Sequence, residues 1–536
     1  MQSVLLIMLS LALIFPRGGV LAADENAEEE VKREATIVIA YTQYEWWLVY
    51  WSDNTPACQV FIDHEGLPTP EDILLDCGGK IYAQWIGTAA CDSLAKEGET
   101  GYCTGLYLYY LGSAQAQREI TVELPEIQVW VNLTGCMPTQ PENFCTIIPK
   151  LLLTGEEPLP NESITAIHAV LNGVGYHCEG ATCEIPLSPT TVAGTTVEFW
   201  ADSSFGDESE HFTALVRVID TGFSPSPQGS GWYVDVLSSQ WVGNQVESCA
   251  QIWRSLPPVG GPPAWLSTPE VPELMATDEP YAYLAGRLID QGLVDTTMCP
   301  NGGLLSNGYA DTCGLEQAMP LVEEWQNQFD NRIVEVALQT AVPAQLLKNL
   351  FAQESQFWPG MFRIPFEFGL GQLTDNGAET ILLWNSSFYA QFCPLVLDAS
   401  QCERGYIYLD KESQAILRGA LALKANADCA ECYTGIDLTH ADFSVALFAE
   451  TLLANCAQVN QIMFNATGKI AGEASGYEDL WKFTVANYHI GAGCLSYALY
   501  TATAARATLD WEHVSDYLTP ACQGVVEYVA NVSGGP

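Results

Sequence analysis

The sequence predicts a multidomain protein in which two N-terminal all-β sandwich modules precede an α-rich domain. Three observations carry this expectation. Short runs of β-branched and aromatic residues, bounded by turn clusters, fill the chain to about residue 221. A stretch rich in Pro, Gly and Ser follows over 222–275. From about 276 onward, apolar residues recur at three- and four-residue steps, the period of an α-helix.

The first module, 34–118, contains the runs Ile37–Tyr41, Trp46–Trp51 and Tyr107–Leu111, with Ser52-Asp53-Asn54-Thr55-Pro56 as a turn cluster. No helical period extends through it, so a small sandwich stapled by Cys58, Cys77, Cys91 and Cys103 is expected. In the second module, 119–221, Ile120–Leu124 and Ile127–Val131 alternate apolar and polar positions, and Ile164–Leu171, Thr196–Ala201 and Ala214–Ile219 continue the pattern. Gly173, Gly175 and Gly194 fall between runs, where turns are needed. The spacing resembles an immunoglobulin-like surface module. Residues 222–275 read as a Pro/Gly-rich linker, although Trp232, Trp241, Trp253 and Trp265 need burial and should wrap it against a neighbouring domain. The helical domain spans 276–530, with candidate helices at Tyr281–Gln291, Leu315–Ala341, Pro343–Ser355, Ser413–Ala425, Phe443–Ala457 and Tyr477–Asn487.

The N-terminus points to export. Residues 1–23 read as a signal peptide: the apolar run Val4–Phe15 is too short to span a bilayer, and Val20-Leu21-Ala22 supplies a cleavage site. An acidic leader, 24–33, follows. The 18 cysteines, an even number spread over the mature chain, suit an oxidising compartment. Cys178/Cys183, Cys299/Cys313 and Cys393/Cys402 are near enough in sequence for short disulfide loops, and Cys429-Ala430-Glu431-Cys432 is expected to form a disulfide rather than hold zinc. The expected location is extracellular or envelope-associated, with no membrane insertion after signal cleavage.

Charge narrows the partners. With 65 acidic against 20 basic residues the net charge is −45, which repels nucleic acid and anionic membranes and keeps an extracellular protein soluble. It also excludes a cationic, membrane-disrupting role. The seven histidines include no His-Glu-x-x-His arrangement, and there is no phosphate loop or dinucleotide glycine pattern, so neither a metal nor a cofactor is expected.

The most informative stretch is Val342-Pro343-Ala344-Gln345-Leu346-Leu347-Lys348-Asn349-Leu350-Phe351-Ala352-Gln353-Glu354-Ser355. Pro343 suits the first position of a helix. Leu346, Leu347, Leu350 and Phe351 make an apolar stripe that Glu354 extends, and Phe357-Trp358-Pro359 ends the helix. A carboxyl in such apolar surroundings should hold its proton to higher pH, as an acid that protonates a glycosidic oxygen requires. Gly369-Leu370-Gly371-Gln372-Leu373-Thr374 follows, and Ala486-Asn487-Tyr488-His489-Ile490-Gly491-Ala492-Gly493 comes much later.

Together these three segments, with the Val-Pro-x-x-Leu-Leu lead-in, resemble the soluble lytic transglycosylase family over roughly 280–520. The resemblance implies a lysozyme-like fold and a substrate, peptidoglycan, cleaved between N-acetylmuramic acid and N-acetylglucosamine. It implies Glu354 as the single acid and base, producing a 1,6-anhydro end without water. Ser355 would help place the glycan or Glu354. Gly369, Leu370, Gln372 and Leu373 would line the groove, Tyr488 would hydrogen-bond near Glu354, and His489 and Gly491 would complete the binding set. Gly369, Gly371 and Gly491 would let a sugar chain approach backbone. The β modules would bind or position the enzyme on an envelope component.

The chain departs from the family pattern at three places. His489 replaces an Asn, Gly371 replaces a Met, and Pro365-Phe366-Glu367-Phe368 precedes Gly369. A hydrolytic, goose-type-like lysozyme would need a second carboxylate; Glu367, Asp375 and Glu379 stand in the right stretch but are expected to be surface charges. A non-catalytic surface or adhesion protein is the remaining alternative.

Overall fold

The computed structural model describes residues 33–87, 104–138, 143–222, 231–242, 248–363 and 366–534. The proposed signal peptide, most of the acidic leader, Cys91 and Cys103 lie outside these residues. The chain divides into two compact bodies, one of 33–126 with loops 158–162 and 205–207, the other of the remainder.

Among its described residues, the first body is a single three-stranded sheet with one helix rather than the expected sandwich. Two long strands, β1 (Glu34–Tyr50) and β3 (Leu106–Glu123), pair antiparallel along their lengths, with β2 (Pro56–Ile62) on the other side of β1. A helix, α1 (Pro70–Gly87), packs on this sheet through Ile73, and the disulfide Cys58–Cys77 ties it to β2. The helix escapes the sequence pattern because Gly78-Gly79 sits in its middle, where Gly78 takes a non-helical φ of 73° and kinks it. Ile120–Leu124, expected to open the second module, instead lies largely in β3, where Ile120–Glu123 pairs with Glu34–Ile37.

The second body contains a β-sandwich and the helical half. The sandwich has strands β4 (Gln128–Thr134), β5 (Phe144–Cys145), β6 (Lys150–Glu156), β7 (Ile164–Leu171), β8 (Val174–Glu179), β9 (Thr182–Pro186), β10 (Thr195–Ser203), β11 (Phe212–Asp220) and β12 (Trp232–Leu237). They form a six-stranded sheet, β5-β12-β11-β10-β7-β8, and a three-stranded sheet, β4-β6-β9. Alternate residues of both sheets, among them Val131, Leu153, Phe199, Val216 and Val236, share one apolar core.

The described residues of the linker expected over 222–275 include a strand, a helix and short turns. Its Trp232 begins β12, which completes the larger sheet. Next come α2 (Ser248–Trp253) and two short 3-10 turns, with Trp253 and Trp265 buried in the core of the helical half. The main helices are α3 (Ala282–Asp290), α4 (Thr312–Asn327), α5 (Asp330–Thr340), α6 (Ala344–Ser355), α7 (Asp375–Trp384), α8 (Lys411–Ala425), α9 (Leu438–Thr467), α10 (Tyr477–Ile490), α11 (Ala492–Ala505) and α12 (Val525–Ser533). The 30-residue α9 is buried along much of its length and touches α7, α10 and α11. A hairpin, β13 (Met361–Arg363) with β14 (Phe366–Phe368), interrupts the helices between α6 and α7.

Helix α6 is buried on nearly every side rather than along one stripe. Its Lys348 is 1% exposed, and its ammonium meets both oxygens of Asp330 at 2.8 Å, Asn327 Oδ1 at 3.0 Å and the Met275 carbonyl at 3.2 Å. A cation this deep persists because each of its donors has an acceptor.

Eight disulfides form among the described residues: Cys58–Cys77, Cys136–Cys145, Cys178–Cys183, Cys249–Cys456, Cys299–Cys313, Cys393–Cys402, Cys429–Cys432 and Cys494–Cys522. No helix among those residues is long and apolar enough to cross a membrane. This disulfide density fits a secreted or extracellular protein.

Candidate active site

Glu354 occupies the last turn of α6, and the backbone immediately after it is unusual. Gln356 and Phe357 both adopt left-handed conformations, with φ of 48° and 62°. Neither is glycine, so each position stores about 1–3 kcal/mol of strain. Surrounding contacts hold them there. The Gln356 side-chain oxygen accepts from the backbone N–H groups of Tyr283 (2.8 Å) and Leu284 (3.2 Å), which caps α3. Trp325 Nε1 donates to the Phe357 carbonyl at 2.9 Å. The end of α6, and with it Glu354, is therefore fixed from two directions.

The Glu354 side chain is 14% exposed. Its Oε1 accepts from the Tyr528 hydroxyl at 2.5 Å, and His489 Nδ1 stands 3.8 Å from the same oxygen. The His489 ring stacks on Tyr528 with centroids 3.9 Å apart and 14° between planes. Burial first, then the Glu354 charge, pushes the Tyr528 hydroxyl well above its ordinary range, so it remains a donor.

Glu367, on β14, is the second carboxylate of the site. Burial raises its pKa, the Glu354 charge raises it further, and His489 opposes both. It is thus not the surface charge expected from sequence. Asp375 and Glu379 are exposed, and Asp375 pairs with Arg418 at 2.9 Å.

Several residues expected to bind substrate are inside the protein. Ser355 is 1% exposed; its hydroxyl donates to the Leu370 carbonyl at 2.6 Å, pinning the 369–373 loop to α6. Leu370 and Leu373 are core residues, and Gln372 is buried with its amide donating to the Gly369 carbonyl at 2.6 Å. All four are thus buried next to the helix end that carries Glu354, with Ser355 and Gln372 hydrogen-bonded to the 369–370 backbone. Tyr488 does not hold Glu354. Its hydroxyl donates to the Gly371 carbonyl, and burial, with the charges of Glu354 and Glu367, raises its pKa well above the ordinary value. The hydroxyl that donates to Glu354 is that of Tyr528.

Gly369 and Gly371 are tightly packed, whereas a Cβ on Gly491 would meet open space. A Cβ on Gly369 would lie 2.5 Å from Ser444 Oγ and 2.7 Å from the Ala425 carbonyl. One on Gly371 would lie 2.5 Å from the Phe448 ring and 2.7 Å from the Tyr488 hydroxyl. Gly491 takes a φ of 75° between α10 and α11, a conformation that favours glycine. Gly371→Ala is accordingly expected to destabilise the protein by about 1–3 kcal/mol through overpacking, read as a lower denaturation midpoint.

Tyr528 was not visible from sequence because no motif surrounds it. The only local signal is the stripe Val525, Tyr528, Val529 and Val532, which faces α12 toward the core. Among the described residues, no group of three or more His, Cys, Asp or Glu is arranged to hold a metal ion. A cavity of about 870 Å³, lined by Tyr233, Asp235, Trp241, Leu266 and Leu338 among others, includes none of the candidate site residues. Compared with known proteins, this chain matches no family model, no curated protein and no solved structure.

Proposed function

We propose that this chain is an exported glycosidase that cleaves peptidoglycan strands, with a lysozyme-like helical half and Glu354 as acid and base. The observation that carries the reading is a mostly buried carboxyl held on one oxygen by a buried tyrosine, with a second carboxylate, Glu367, on the hairpin that follows the helix and near enough to feel the Glu354 charge. The motif resemblance over roughly 280–520 supplies the substrate class.

In the proposed reaction, Glu354 Oε2 donates its proton to the glycosidic oxygen as the bond from the muramyl C1 breaks, and the N-acetylglucosamine side leaves as the alcohol. Positive charge develops at C1. The resulting carboxylate then takes the proton of the muramyl 6-hydroxyl as that oxygen bonds to C1, which closes the 1,6-anhydro ring and returns Glu354 to its starting state. The acidic surface offers no long-range attraction to an anionic wall, so binding rests on short-range contacts in the groove. The sandwich over 127–237 is read as an immunoglobulin-like module that positions the enzyme on the envelope.

A specific observation favours a second outcome. Glu367 lies within electrostatic reach of Glu354 and could direct a water at C1, giving hydrolysis. Mass spectrometry of fragments released from purified peptidoglycan tests the proposal. Anhydro-muramyl ends, one water lighter than reducing ends, are expected; reducing ends would assign the hydrolytic course. No released fragment at all would remove the enzyme reading.

The Tyr528→Phe variant isolates the positioning bond. A hydrogen bond to a charged group is worth about 1.5–3 kcal/mol. Its loss should lower kcat by about 10–100-fold while KM stays near the wild-type value. A change in KM alone would place Tyr528 in substrate binding instead.

A further inference from the structure

The histidines that carry no linear motif meet on the sandwich. His177 on β8, His168 on β7 and Trp200 on β10 are successive cross-strand partners, and His211 lies just before β11. Their rings form a ladder: His168 lies 4.8 Å from His177 and 5.1 Å from Trp200, and Trp200 lies 4.2 Å from His211. The ladder stands on the outer face of the six-stranded sheet, opposite the apolar core, with His177 and His211 exposed.

Two details set His168 and His177 apart. His168 Nε2 lies 2.8 Å from Asp202 Oδ2. A carboxylate only accepts, so Nε2 is the nitrogen that carries a proton toward Asp202, and in the neutral ring this leaves the Nδ1 lone pair as the metal-binding donor. That Nδ1 faces His177 Nδ1 at 3.5 Å. Two nitrogens bound to one tetrahedral ion at about 2.0–2.1 Å lie about 3.3–3.4 Å apart, so the pair already has the bite of a chelate. A carboxylate on the far nitrogen of the imidazole is also the arrangement that orients metal-binding histidines and raises their basicity. Trp200, stacked at 7° to His168 on its other side, limits rotation of the ring.

We propose that His168 and His177 form a two-imidazole site for a first-row transition-metal ion of the zinc and copper class. The ion takes Nδ1 of each ring, and the proton shared between them is displaced as His177 shifts its N–H to Nε2. The site faces solvent at β8, the edge strand of the sheet, so the remaining coordination positions are filled by water or by a donor from a bound molecule. Calcium and magnesium, which require oxygen ligands, are not held there. Bound metal cross-links β7 to β8 beside the Cys178–Cys183 disulfide.

Titration of the full chain with Cu²⁺, followed by electron paramagnetic resonance, tests this. The expected result is one tight site per chain whose spectrum is split by two nitrogens. His168→Ala and His177→Ala should each lose that site, and His211→Ala should keep it. Asp202→Asn should weaken binding by about 10–100-fold. A wild-type spectrum without nitrogen splitting would assign any bound copper to surface carboxylates and overturn the proposal. Unchanged affinity in the His168→Ala/His177→Ala double variant would overturn it equally.

Discussion

Glu354→Gln is expected to lower peptidoglycan cleavage by about 10²–10⁴-fold, the range for loss of a general acid. That corresponds to about 2.7–5.4 kcal/mol of transition-state stabilisation. Glutamine keeps the shape of the side chain, and its amide oxygen can still accept from Tyr528, which now donates at 2.5 Å. What it lacks is a proton on the second oxygen. The fold should therefore survive unchanged, as a circular dichroism spectrum and thermal midpoint matching the wild type would verify. Release of labelled fragments from peptidoglycan gives the rate. A Gln variant that cleaves as fast as wild type would leave Glu354 no part in the chemistry, and the proposed mechanism would fail with it.

The largest expected stability effect belongs to Cys249–Cys456, which closes a loop of 207 residues between α2 and the middle of α9. Loop-closure entropy at that separation gives about 5 kcal/mol in favour of the folded state. Both cysteines are fully buried, and Trp253 Nε1 donates to the Cys456 carbonyl at 3.0 Å in the same contact. Replacing both cysteines with alanine should lower the denaturation midpoint far more than opening a short loop such as Cys178–Cys183, which spans 5 residues. Equal shifts for the two would mean that loop length does not govern the contribution of these cross-links.

Broad order was legible in the sequence. Alternation along β7, β10 and β11 and the helical period of α6, α8 and α10 gave strands and helices where they occur. The short disulfide loops followed from spacing alone. The first module was misread because Gly78-Gly79 breaks the periodicity of α1, and because β3 runs past the expected boundary at 118 without a turn residue to mark it. At the site, sequence identified Glu354 but not what surrounds it. Tyr528 approaches from 174 residues away, and Glu367 is set apart from Asp375 and Glu379 by burial, which no local pattern encodes. Ser355 and Leu370 are bonded to each other inside the protein, a contact that a linear motif does not encode.

The segment after the sandwich has a mechanical consequence. Arg217 on β11 pairs with Asp235 on β12 and also donates to the Pro257 carbonyl at 2.5 Å, while Cys249 is bonded to α9. As free coil, the 54 positions from 222 to 275 would let the two halves wander about 40 Å apart. Tied at these points, the described residues of the stretch hold the sandwich to the helical half, so that under the proposed function an envelope component gripped by the sandwich would be presented to Glu354 at a near-constant standoff.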